Sequence, residues 1–155
     1  MQLEKYTNNI KMATIIKGDE LMLFKNDKSL AFATAHTLTI SGSTIDISSK
    51  DHGYWGASEI GNITWEITSE NLYTDADYDA LFSAMINKEK VNVKFGHASN
   101  YDVNGLDTLS YWSPATTGLY TGEAFITSLT ANANTGENAT FSVTLSGAGA
   151  LKKVQ

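Results

Sequence analysis

The chain has no cysteine, a single proline and few charged residues, 18% of its 155 positions. Without cysteine there are no disulfides, thiolate metal sites, iron-sulfur clusters or cysteine nucleophiles. No apolar run approaches the roughly 20 residues of a membrane helix. The opening stretch MQLEKYTNNIKM lacks the charged-then-apolar plan of a signal peptide, so synthesis in a bacterial cytoplasm is expected. Cations are scarce: 11 Lys and Arg stand against 17 Asp and Glu, a net charge of −6. That balance argues against wrapping nucleic acid, which rests on cations neutralising phosphates. The three histidines, His36, His52 and His97, lie far apart with no close ligand pair, so no metal is expected. Phosphate-loop, dinucleotide, EF-hand and nucleophile-elbow patterns are absent, and no cofactor is expected.

What is present is alternation. In NITWEIT, Ile63, Trp65 and Ile67 fall on one face, and Thr64, Glu66 and Thr68 on the other. ATFSVTLS sets Phe141, Val143 and Leu145 against Thr140, Ser142, Thr144 and Ser146, and KVNVKF aligns Val91, Val93 and Phe95. ELMLFKNDKSLAFATA predicts two strands joined at Asn26-Asp27, residues that tolerate the positive φ of a tight turn. A second hairpin is expected at Asn134 to Asn138. The segment from Leu119 to Asn132 carries apolar residues on both faces, Phe125 and Leu129 against Ala124 and Ile126, and so calls for a second partner, the helix or another subunit. His36 shares a face with Leu38 and Ile40 and is expected to be a satisfied residue at the core edge.

One segment breaks the rhythm. TDADYDALFSAMINKEK places Tyr78, Leu81, Phe82, Met85 and Ile86 at helical spacing, predicting one helix over about residues 75–88. Thr74 and Asp77 suggest a capping box, and Lys88 and Lys90 would complement the helix dipole. The fold class is mainly β in one domain, 1–155, with a flexible arm at 1–12 and a flexible tail at 148–155. Two stretches, Ser41 to Gly61 and His97 to Gly118, show no clear pattern and are expected to be long functional loops.

The first of these holds SSKDHGYW. Ser49, Lys50, Asp51, Gly53, Tyr54 and Trp55 raise three readings: a catalytic cluster, a contact loop or a plain surface loop. Consecutive Lys50, Asp51 and His52 diverge unless the backbone turns sharply, which disfavours acid-base chemistry. The contact loop is preferred. A carbohydrate-binding β-sandwich, with Tyr54, Trp55, Tyr111 and Trp112 stacking on sugars, is the alternative. A hydrolase in which His52 meets a Ser and a carboxylate is the third.

The order of HTLTIS, DISSKDHGYWG, ITWEITSENLY, one helix and LYTGEAFITSLTANANTGENATFSVTLSGAGAL resembles the major tail tube proteins of long non-contractile phage tails, of the lactococcal siphophage type, over Ile16 to Leu151. The resemblance implies a β-sandwich or barrel-like domain with one flanking helix. It also implies hexameric rings, stacked around a tape-measure protein, bounded by tail-terminator and distal tail proteins, and conducting DNA through the lumen of a virion tail. On that reading SSKDHGYW is an intersubunit contact loop, with no catalytic, cofactor or metal site and no membrane partner. Six copies at −6 each would repel DNA from the wall, with Glu66 and Glu123 as lumen-facing acids.

Overall fold

The computed structural model describes residues 14–106 and 111–155; the arm expected at 1–12 lies outside them. The strands are β1 (Leu21–Lys25), β2 (Lys28–Ser29), β3 (Ala33–Asp46), β4 (Ser58–Leu72), β5 (Lys90–His97), β6 (Tyr120–Asn132), β7 (Thr140–Gly147) and β8 (Lys152–Lys153), with α1 at Asp75–Ile86. They form one curled antiparallel sheet in the order β2-β1-β5-β6-β7-β4-β3, with β8 added to β6. The helix packs across β6 and closes the core, where a sandwich would place a second sheet.

Alternation does what the sequence predicts. Leu23, Ile67, Val91, Val93, Phe141, Val143 and Leu145 are each at most 3% exposed and face the helix side. Asn26 and Asp27 take φ 50° and 65°, the left-handed values that a two-residue hairpin demands. Lys94 Nζ reaches Asp27 Oδ1 at 2.6 Å and ties this turn to β5.

The two-faced strand has a local explanation. The β6–β7 register jumps between Ile126 and Ser128, leaving Thr127 as a bulge. Ile126 pairs with Leu145 and Leu129 with Val143, so the extra residue returns Leu129 to the face of Ala124 and Ile126. Phe125 alone stays on the far side, 36% exposed, beneath the ammonium of Lys90 at 5.8 Å. No second partner is needed to explain Leu129.

The helix starts and ends by other means than expected. Thr74 Oγ1 donates to the Asp77 carboxylate at 2.5 Å, and its side chain caps no backbone N–H. At the other end Lys88 N–H donates to Met85 O and Glu89 N–H to Ala84 O, with Lys88 at φ 56°. This is a Schellman motif with lysine where glycine is usual. Lys88 therefore serves as the left-handed stop, and Lys90 belongs to β5; neither lies in the last helical turn. Leu81 and Ala84 are buried, whereas Phe82 and Ile86 are 50% and 61% exposed, so the apolar stripe is wider than the surface it covers.

Residues 148–155, expected to be a flexible tail, are tied to the body. Ala148 N–H donates to Glu123 O at 2.8 Å, Val154 N–H donates to Leu119 O at 2.7 Å, and β8 pairs with Tyr120 and Thr121. Leu151 packs on the core.

Candidate assembly site

The stretch Ser41 to Gly61 is mostly strand. The alternation of TIDIS continues β3 to Asp46, and β4 resumes at Ser58, so a long hairpin replaces the expected loop. Its inner half belongs to the sheet, since β7 pairs with β4 from Glu66 to Leu72. Its outer half has no third strand among the described residues. A two-stranded ribbon in water is marginally stable by itself.

The ribbon carries apolar side chains in the open. Ile40, Ile60 and Ile63 are 55%, 63% and 67% exposed on the continuation of the core face. Ile45 and Ile47 are 49% and 47% exposed. A register shift between Gly42 and Thr44 keeps Ile60 and Ile63 together. Sequence reading missed these isoleucines as a group; the alternation in TIDIS was the available signal.

The tip is rigid in its own right. Ser48 Oγ accepts from Ala57 N–H at 2.8 Å and donates to Ala57 O at 3.2 Å, stapling the two strand ends. Ser48 N–H donates to Asp46 Oδ1 at 2.8 Å, and the bonds from Ser48 hold that carboxyl below its usual range. Lys50, Asp51 and His52 form one turn of 3-10 helix. Ser49 N–H donates to His52 Nδ1 at 3.0 Å, so this nitrogen is occupied as an acceptor. Gly53 follows at φ 64°, where a side chain would be strained. His52 thus holds the turn together. Lys50 and Asp51 are exposed, and Tyr54 and Trp55 stand out at 106% and 86% exposure.

The other aromatics sit elsewhere. Trp112 N–H donates to Ser29 Oγ at 2.9 Å and its ring lies 5.6 Å from that of Tyr101. Tyr111 sits under the ammonium of Lys28. These residues flank β2 and the start of β3, the end of the hairpin away from the tip, so the four aromatics form no common platform for a sugar. Among the described residues, no three His, Asp or Glu side chains meet as a metal would require. His36 is next to Ser69 Oγ at 3.0 Å, a satisfied position at the core edge.

Glu66 pairs with Ser146, which pairs with Phe125, and Glu123 lies two residues before Phe125. Both acids are therefore exposed on one sheet face, opposite the helix.

The phage tail tube protein family matches residues 19–153. The chain belongs to this family. Its fold is that of solved tail tubes. The chain is similar to a protein of the native gene transfer agent virion at 19% identity and a TM-score of 0.68, covering 91% of this chain and all of that one. A second likeness is to the tail of an empty gene transfer agent particle with C6 symmetry, at 18% identity and 0.69, with 91% and 100% covered. A third is to the SPP1 tail tube, at 12% identity and 0.65, covering 91% of this chain and 80% of that one. A search of curated proteins finds no match. Membership of this family places the protein in the phage tail.

Proposed function

We propose that the chain is the structural subunit of a tail tube, closing into hexameric rings that stack around a tape-measure protein and later conduct DNA, with no catalytic role. One observation carries this beyond family membership. The outer half of the β3–β4 hairpin holds five isoleucines and two aromatics against water with no neighbouring strand among the described residues. Exposed apolar patches of this kind mark protein contacts, and the rigid tip suits a preformed contact better than a mobile loop. Ser49, Lys50, Asp51, Gly53, Tyr54 and Trp55 form the contact loop on this reading. The C6 symmetry of a similar particle's tail supports six copies per ring.

Glu66 and Glu123 are assigned to the lumen wall, where a net charge of −6 per subunit keeps DNA from adhering. Tail-terminator and distal tail proteins would cap the stack.

Light scattering with negative-stain microscopy over a concentration series tests the reading. Rings or tubes with a central hole are expected, alone or on adding the tape-measure protein. A monomer under both conditions would overturn it.

A further inference from the structure

A groove of about 840 Å³ lies at the base of the same hairpin, within the roughly 300–1,000 Å³ of ligand-sized clefts. Leu30, Phe32, Ala33, Ala35, Tyr101 and Trp112 are among the residues that line it. Phe32 forms its rim with a ring 63% exposed and a backbone φ of 52°. A bulky residue holds a left-handed conformation at a cost on the order of 1–3 kcal/mol, and such strain concentrates at binding sites. Phe32 O accepts from Leu72 N–H at 3.0 Å, which fixes this backbone against β4.

We infer that this groove receives the Tyr54–Trp55 tip of a second copy of the chain. The inference rests on the tube-subunit reading and names the surface on which the contact loop lands. Two observations select this occupant. The first is chemical match: an apolar, aromatic-lined hole and a fully exposed aromatic knob occur on one chain. The second is position. Ala33 opens β3 at the groove and Asp46 ends it at the tip. At roughly 3.3 Å per residue the 13 steps of the strand put up to about 43 Å between them, so a chain cannot fill its own groove. Knob and hole at opposite ends make a heterologous, head-to-tail contact, which closes into a ring or propagates as a stack according to the rotation between copies.

The test is photo-crosslinking in assembled tubes. Trp55→p-benzoylphenylalanine keeps an aromatic knob and captures what it touches. Isotopically heavy wild-type chains mixed in excess with the light variant keep assembly going and identify captures between chains. Peptides spanning Leu30–His36 or containing Trp112 are expected. Capture confined to other surfaces, or none within intact tubes, would overturn the inference and leave the groove to another occupant while the tube reading stands. Failure of wild-type chains to form rings or tubes would overturn both. Ala35→Trp, which fills the hole, is expected to prevent tubes of normal length, with far-UV circular dichroism and the thermal melt of the subunit unchanged. Tubes of normal length from this variant would overturn the inference; if the variant is unfolded, the crosslink decides.

Discussion

Trp65 donates its indole N–H to the carbonyl oxygen of Gly149 at 2.7 Å, a bond across 84 residues of sequence. The ring lies where Cβ atoms on Gly122 and Gly147 would be: a Cβ on Gly122 would come within 2.7 Å of the indole Cζ2, and one on Gly147 would overlap its five-membered ring. Two glycines on neighbouring strands thus make a flat bed for the tryptophan of a third, and Gly149 completes its only polar demand. The glycines of TGEAF and LSGAG are there for the tryptophan of ITWEIT. Gly147→Ala should cost about 2 kcal/mol of stability, in the 1–3 kcal/mol range of overpacked cores. Trp65→Phe should cost about 1–3 kcal/mol, because the N–H is lost and the Gly149 carbonyl keeps no indole partner. Urea denaturation of the two variants checks both; a neutral Gly147→Ala would mean that the indole can move aside.

Thr127 is the residue that lets β6 turn both Ile126, buried, and Leu129, half-buried, toward the core. Its deletion restores an unbroken ladder at the expense of turning Leu129 outward or slipping the register. The deletion should cost about 2 kcal/mol, at the low end for loss of a leucine because Leu129 is half-buried. Thr127→Ala should stay within about 1 kcal/mol, because its hydroxyl bond to Thr144 O, at 3.3 Å, is exposed. Thermal melts of the two variants separate the backbone effect from the side-chain effect.

His36 links to stability through pH. Burial lowers its pKa below the ordinary 6.5, so the folded chain stays neutral where the unfolded chain takes a proton. Stability is then highest above pH 6.5 and falls as the pH drops toward the folded-state pKa, below which the loss levels off. The group facing it is Ser69, whose hydroxyl donates to Asn71 Oδ1 at 3.1 Å and so accepts from His36 Nδ1–H. Melting temperatures between pH 7.5 and 5 should fall more steeply for the wild type than for His36→Gln. Parallel curves would show that His36 titrates alike in both states.

At the hairpin tip, fold and assembly should separate. Trp55 is 86% exposed, so Trp55→Ala should change the stability of the isolated subunit by no more than about 0.5 kcal/mol. The concentration needed for tubes should rise at least about tenfold, since a desolvated aromatic anchor is worth about 2 kcal/mol or more. Sedimentation across a concentration series measures the second effect and denaturation the first. An unchanged assembly threshold would remove Trp55 from the contact.

The strands, the Asn26-Asp27 turn and the helix were legible because each is written in neighbours: period two, period three to four, or two residues that accept positive φ. The bulge at Thr127 was not, since alternation counted straight through a strand assigns Leu129 to the wrong face. Nor was the true extent of the hairpin. Ser41 to Gly61 looked irregular because its isoleucines alternate with Gly, Ser and Thr and change phase at the shift beyond Gly42.

Of the candidate site, the loop at Ser49 to Trp55 was visible as a cluster of aromatic and charged residues, while the groove was not, because its walls come from segments near residues 30, 101 and 112 that no local pattern connects. Local chemistry, which depends on residues within a few positions, was settled by the sequence alone: a mainly β chain with one helix, no thiol chemistry and an acidic balance. Proximity across the chain was decided only by the tertiary structure. It brought Trp65 over Gly122 and Gly147, tied the carboxyl-terminal tail to β6, and set an aromatic knob at one end of β3 with an apolar hole at the other. Those relationships arise from strand order and register, which are properties of the whole sheet rather than of any one segment.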